Sequence, residues 1–273
     1  MRARLLSWYG RHGRALPWRR TRDPYAILVS EVMLQQTQAA RVGPAYRRFL
    51  RRFPTLRSLA RASLGDVLRE WAGLGYHRRA RDLHRAARAC PDRLPARVSD
   101  LALLPGVGAY TAAAVACFAF GAAAPFADTN IRRVLGRALL GRVAATKEAV
   151  ALDAAALSRR SPARWHHALM DLGATVCTAR TPRCVACPLS ELCAARRAGD
   201  IAPPPSRQQR AFATSDRRVR GRILAALREA RGGRSVARLA ESIGDDRVGR
   251  LVGSLAREGL VERAGARVRL PVT

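Results

Sequence analysis

Hydrophobic residues recur along this chain at intervals of three and four, the spacing of helices that bury one face, and no alternating strand pattern occurs before residue 260. The pattern predicts helices over 2–13, 38–52, 56–62, 64–73, 78–90 and 98–103, and again over 131–141, 147–158 and 162–173. Asp23-Pro24 reads as an N-cap followed by proline at the first helical position, which opens a helix through YAILVSEVMLQQT. TAAAVACFAFGAA (111–123) is apolar all round and predicts a buried central helix. IAPPPSRQQR (201–210) is a proline- and arginine-rich linker. Beyond it come helices near 215–230, 235–243 and 246–258, then a hairpin of two short strands around Ala264-Gly265. The predicted class is all-α with a small C-terminal module.

Composition adds a partner. At 273 residues the chain has room for two or three compact modules, and 48% hydrophobic content with 5% aromatic is that of a globular helical protein. The balance of 50 Lys+Arg against 20 Asp+Glu gives a formal charge of +30. Lys147 is the only lysine. A GC-rich genome explains arginine in place of lysine, but not base in excess of acid; a polyanion such as duplex DNA is the natural counterpart. No run of 18 apolar residues is present to span a membrane, and the arginine-studded N-terminus has no signal-peptide core. The expected location is the cytoplasm, over the nucleoid.

Four cysteines carry the sharpest chemistry. Cys177, Cys184, Cys187 and Cys193 are spaced C-x6-C-x2-C-x5-C in a short polar segment that has no packing use for thiols. Four such thiolates bind zinc or an iron–sulfur cluster, and the spacing leaves both open; disulfides need an oxidising compartment that nothing here supports. LPGVGAYTA (104–112) places two glycines, Gly106 and Gly108, in a tight turn before the buried helix, where free amides suit a phosphate. Glu31 lies on the apolar stripe of Ile27, Leu28 and Leu34, where burial would raise its pKa as a general acid requires. Asp128 is the N-cap of the helix beginning DTNIRR, with Asn130 just inside it, and a cap can also face positive charge in a substrate. Tyr76, in GLGYHRRAR, is an aromatic among arginines after a glycine-rich bend, suited to stacking on bases.

These segments, in this order, resemble the adenine-specific mismatch DNA glycosylase (MutY) family of the helix-hairpin-helix superfamily. The resemblance covers about residues 5–197 and rests on LPWR, DPYAILVSEVMLQQT, FPTLRSLARA, WAGLGYHRRARDLH, LPGVGAYTAAAV, DTNIRRVLGRAL, ALMDLGATVCT and the cysteine spacing. It implies a [4Fe–4S] cluster on the four cysteines and an enzyme of base excision repair that flips adenine out of the duplex; bifunctional relatives carry a Schiff-base lysine where this chain has Tyr110, and with Lys147 the only lysine the enzyme is expected to be monofunctional. Glu31 would protonate the base and Asp128 would stabilise the cationic sugar, with Tyr110 and Asn130 in support. Arg19, Leu34 and Asp171 would contact the extruded adenine, Gln36 and Tyr76 would wedge near the opposite base, and Gly106 and Gly108 would hold a backbone phosphate. It further implies a cluster lobe of residues 1–22 and 135–200 and a six-helix barrel of 23–134. Residues 207–273 are similar to a winged-helix DNA-binding module, and are too few for the Nudix-like domain with which such enzymes read 8-oxoguanine. The expected partner is double-stranded DNA with a mispair, bound by a monomer.

Two other readings compete. Tyr110 also fits thymine- or uracil-removing mismatch enzymes of the superfamily, against which QQT and Asp171 speak. A non-catalytic iron–sulfur DNA-binding regulator would need no Glu31/Asp128 pair.

Overall fold

The computed structural model describes residues 1–199, 201 and 212–272. All but one residue of the expected linker, Ile201, lies outside them. Its helices run in the order α1 (Arg2–His12), α2 (Pro24–Leu34), α3 (Ala39–Arg52), α4 (Leu56–Arg61), α5 (Leu64–Glu70), α6 (Arg78–Ala89), α7 (Val98–Leu101), α8 (Ala109–Phe120), α9 (Thr129–Leu140), α10 (Thr146–Ala156), α11 (Pro162–Thr175) and α12 (Ala194–Arg197). The C-terminal module follows as α13 (Asp216–Glu229), β1 (Arg234–Ser235), α14 (Val236–Ile243), α15 (Val248–Arg257), β2 (Glu262–Ala264) and β3 (Arg267–Arg269).

Helix starts obey local chemistry. The Asp23 carboxylate accepts from the Tyr25 amide at 3.0 Å ahead of Pro24. Thr55 and Ser58 form a reciprocal capping box at α4, and Ser63 caps α5. Gly121 and Gly141 end α8 and α9 in the left-handed conformation that glycine tolerates. Among the described residues no helix is long and apolar enough to cross a membrane.

The chain divides into two compact units. The first comprises Met1–Glu31, Pro95–Leu103 and the described part of Val107–Ser206. Its core forms around α8, whose residues Thr111–Cys117 are all buried, as the apolar sequence predicts. Leu5, Phe126, Ile131, Leu135, Trp165, Leu169 and Leu172 close around it. The second comprises Val32–Leu94, Leu104–Gly106 and the described part of Arg207–Thr273. There Trp71 meets Phe49 edge-on at 5.9 Å, among Phe53, Leu59, Leu68 and Leu83. These units cut across the lobe boundaries expected above: 23–31, 95–103 and 107–134 group with the cysteine-bearing helices because α8 shares their core.

The C-terminal module buries Ile223, Leu227, Leu239, Leu251, Leu255 and Val268. Its hairpin forms where expected, but the sheet has three antiparallel strands in the order β1-β3-β2. A strand of two residues, Arg234–Ser235, is too short to show alternation and so was invisible to a periodicity argument. The module closes on α5 through its tail: the Gly65 amide donates to the Pro271 carbonyl at 2.8 Å, and a Cβ on Gly65 would lie 2.5 Å from that oxygen. Gly65→Ala is therefore expected to lower stability by about 1–3 kcal/mol through forced displacement of that tail, measured by urea denaturation; an unchanged midpoint would show that the tail is not seated there.

Candidate active site and cluster loop

Glu31 ends the first unit's portion of α2. Tyr25 through Met33 are all buried, so the predicted stripe is in fact a helix enclosed on every side. The Glu31 carboxyl is 5% exposed, and burial, followed by the charge of Asp128, raises its pKa to about 7. The Tyr110 hydroxyl donates to it, and Arg19 lies near enough for its charge to oppose the rise. Tyr110 stands in the first turn of α8, and its own pKa is pushed well up by burial and by the two acids, which keeps the phenol protonated.

Asp128 sits in a contrasting environment. It is only half-buried and caps α9, accepting from the Ile131 amide at 2.7 Å and from Asn130 Nδ2 at 2.8 Å. Gly173 on α11 makes the Asn130 position possible, since a Cβ there would fall 2.6 Å from Asn130 Cβ. The two neighbouring acids thus sit in contrasting surroundings: Glu31 is enclosed, and Asp128 is half-exposed and accepts two hydrogen bonds.

Asp171 is placed differently from the expectation of a direct base contact. It is fully buried on α11, and both oxygens are taken: by the Arg14 amide at 2.8 Å and Nε at 2.6 Å, and by Arg19 Nη1 and Nη2 at 2.7 and 2.8 Å. Burial would push its pKa up, but Arg19 and Arg14 hold it below the usual carboxylate value. With its lone pairs occupied, Asp171 fixes Arg19 beside Glu31 in a bidentate grip. Leu34, Gln36, Tyr76 and Gly106 belong to the second unit. Gly106 takes a positive φ of 74° and approaches Asp82 closely, while Gly108 is the exposed N-cap of α8.

Cys177, Cys184, Cys187 and Cys193 line one cavity between α9 and the loop before α12. Among the described residues no three His, Cys, Asp or Glu side chains converge on a single metal ion. Four thiols around one cavity are the donor set of zinc or of an iron–sulfur cluster.

Comparison with known proteins fits both halves of this geometry. Residues 29–159 match the HhH-GPD superfamily of base excision DNA repair proteins, and residues 177–193 match the iron–sulfur binding domain of endonuclease III. The adenine DNA glycosylase of Mycobacterium tuberculosis (strain H37Rv) is 50% identical over 239 residues, 83% of this chain and 78% of its own. The chain belongs to the adenine DNA glycosylase family. The human adenine DNA glycosylase is 44% identical over 214 residues, covering 72% of this chain and 39% of the human one. Among solved structures, a thermostable thymine-DNA glycosylase superposes with a TM-score of 0.64 at 30% identity, covering 72% of this chain and 94% of its own. An endonuclease III–DNA complex shares the fold with a TM-score of 0.63 at 24% identity, covering 72% and 94%.

As a member of this family the chain is a DNA N-glycosylase of base excision repair with a [4Fe–4S] cluster, and the matched iron–sulfur domain spans the four cysteines. Two features of such an enzyme escaped the sequence reading. Arg133 on α9 is buried and donates to Asn130 Oδ1 at 2.8 Å, Gly173 O at 2.6 Å and Cys177 O at 2.7 Å, tying the Asp128 cap to the first cluster cysteine. Arg137, one turn on, donates to the carbonyls of Thr178 and Ala179 at 2.7 and 2.9 Å. The i, i+4 spacing of these arginines within DTNIRRVLGRAL was the available signal. The second is Asp153, fully buried, which accepts from the Phe126 amide at 3.0 Å, Trp165 Nε1 at 2.7 Å and His166 Nε2 at 2.9 Å. It anchors the segment two residues before Asp128, while Phe126 stacks on His166 and meets Tyr110 edge-on at 5.4 Å. No motif spacing announces such a knot. Arg133→Ala strands three oxygens at once and is expected to cost on the order of 3 kcal/mol; denaturation of the holoprotein and retention of the cluster's visible absorbance would measure it, and wild-type values for both would disprove the tie.

Proposed function

We propose that this enzyme hydrolyses the N-glycosidic bond of adenine mispaired with 8-oxoguanine or guanine, acting as a monomer on duplex DNA and leaving an abasic site. The observation that carries the reading is Glu31, an enclosed acid with a pKa near 7 beside the solvated, hydrogen-bonded Asp128. The names of the adenine-specific relatives support the choice of base.

The chemistry follows from those two environments. The base is extruded from the stack. Glu31, protonated, gives its proton to N7 of adenine, so that the electrons of the breaking C–N bond go to a neutral leaving base. The positive charge left on the sugar faces the Asp128 carboxylate, much as paired carboxyls share glycoside hydrolysis. Glu31, now ionised and steadied by the Tyr110 hydroxyl, accepts a proton from the water that adds to the sugar. Arg19, clamped by Asp171, faces the base; Asn130 holds Asp128. Leu34 completes the base contacts, Gln36 and Tyr76 occupy the duplex near the opposite base, and Gly106 and Gly108 receive a phosphate. The C-terminal module serves as a winged-helix DNA-binding element, and the protein works at the nucleoid.

The absence of an amine at the reacting centre makes the reaction monofunctional. A Schiff base requires a lysine; the position is filled by Tyr110, and Lys147 is exposed on α10.

Incubation with A:8-oxoguanine, A:G, T:G and U:G duplexes followed by alkali is expected to cut only at adenine; cutting only at T or U would overturn the substrate assignment, and binding without base release would overturn the enzyme. Glu31→Gln is expected to lower single-turnover excision by about 10²–10⁴-fold with DNA affinity nearly intact. Because the protonated acid is the active form, excision should fall about tenfold per pH unit above ~7, and a flat pH profile to pH 9 would exclude Glu31 as the donor. Borohydride is expected to trap no robust covalent adduct, and a strong adduct would exclude the monofunctional mechanism.

A further inference from the structure

Behind the reacting acids lies a titratable pair that the chemistry above does not use. The side chains of His166 on α11 and Asp153 on α10 are wholly enclosed, with His166 Nε2 2.9 Å from Asp153 Oδ2. The other ring nitrogen, Nδ1, lies 3.0 Å from the Pro162 carbonyl. A carbonyl oxygen only accepts, so Nδ1 carries a hydrogen. Asp153 already receives the Phe126 amide on Oδ2 at 3.0 Å and Trp165 Nε1 on Oδ1 at 2.7 Å. Two N–H donors aimed at one buried carboxyl hold it ionised, and its third partner is then a donor as well. Both nitrogens of His166 are thus protonated, and the ring is an imidazolium paired with a carboxylate.

The other polar groups nearby leave that charge to one neighbour. Cys117 Sγ approaches Nδ1 at 3.4 Å, but burial, followed by the charges of Asp153 and Glu31, pushes its thiol up to about 12 and keeps it neutral. His167, the next residue along α11, is neutral too, since burial and then Arg19 lower its pKa to about 3. The imidazolium faces Phe126, whose ring stacks on it with 3.8 Å between centroids and 16° between planes. A cation over an aromatic face gains most where water is excluded. Phe126 is therefore gripped twice by one ion pair, at its amide by Asp153 and at its ring by His166. Two residues on stands Asp128. Edge-on to the same ring, at 5.4 Å, stands Tyr110, whose hydroxyl donates to Glu31.

We infer that the Asp153–His166 ion pair is the positioning element that aligns both acids, setting the Asp128 segment through the Phe126 amide and the Tyr110 hydroxyl on Glu31 through the Phe126 ring. Neither residue belongs to the reacting pair; each acts through Phe126. The inference rests on the reading that Glu31 donates the proton. Stability alone does not account for the pair, because apolar side chains of similar volume serve a core as well as a buried ion pair does.

The first test reads the proton state in the unaltered holoprotein carrying isotope-labelled histidine. Nitrogen resonances are expected to show one ring with both nitrogens protonated at neutral pH, a signal that His166→Gln removes; a bare nitrogen on His166 would overturn the inference. The second is a cycle of single-turnover excision rates for His166→Gln, Tyr110→Phe and the double variant. His166→Gln alone is expected to slow excision about 10–100-fold, the scale of a misplacement of about 1 Å, with affinity for the mispaired duplex unchanged. In the Tyr110→Phe background the same change is expected to cost about twofold or less, because the hydroxyl it positions is gone. Asp153→Asn is expected to slow excision in both backgrounds, since it also frees the Asp128 segment. Equal slowing by His166→Gln in both backgrounds would indicate general loosening and overturn the inference, as would a wild-type rate. Phe126→Leu keeps the amide and removes only the ring, and it takes the place of His166→Gln in the cycle if that variant does not fold. An active Glu31→Gln enzyme would refute the acid, while the proton state and the coupling between positions 166 and 110 still decide the ion pair.

Discussion

Enclosing a carboxyl group is the constraint on which this protein's chemistry depends. An ionised carboxylate cannot be moved cheaply from water into a helix core, and a group in that position takes up a proton instead. Glu31 is fixed there because every turn of α2 around it is buried. The packing of the first unit is thus what makes an ordinary glutamate an acid near neutral pH. Tyr110 and Arg19 temper the shift, so that the group can both give its proton and survive as an anion afterwards. Asp128, only some residues of packing away, is kept at a half-exposed helix cap where it accepts two hydrogen bonds.

Arginine does two kinds of work in this chain. The net charge of +30 suits a polyanion. Yet several guanidiniums face inward. Arg133 and Arg137 satisfy the carbonyls around the cluster loop, Arg79 satisfies those of two strained turns, and Arg14 and Arg19 close on Asp171. A guanidinium presents five donors in a rigid fork, and loop carbonyls that lack a helical partner need donors. Part of the basic excess is therefore internal scaffolding that an inventory of surface charge would misattribute to DNA.

The legibility of the fold followed the range of the forces involved. Helix positions, the Asp23-Pro24 start, the Asp128 cap and the buried α8 rest on neighbours within four residues, and each formed where the pattern placed it. The two-residue β1 was missed because its existence depends on β3, more than thirty residues later. Asp171 is the instructive case for the site. Its position in ALMDLGA marked it as functional, but only the folded chain reveals that Arg14 and Arg19 consume both of its oxygens. The knot of Asp153, Trp165, His166 and Phe126 left no local trace either, since its members are joined by packing and by hydrogen bonds between distant segments.

The sequence by itself determined which chemical groups are present and which local structures they favour: four thiols at cluster spacing, a glycine hairpin, a capping aspartate, a glutamate among apolar neighbours and no lysine where a Schiff base would need one. Tertiary structure decided what those groups become. Burial assigns the proton to Glu31, the Arg14–Asp171–Arg19 clamp turns a base-contact candidate into a support, and docking of the C-terminal module beside Tyr76 creates a basic cleft that neither segment forms alone. The physical reason is that pKa, strain and hydrogen-bond satisfaction are properties of surroundings, and surroundings exist only once the chain has closed on itself.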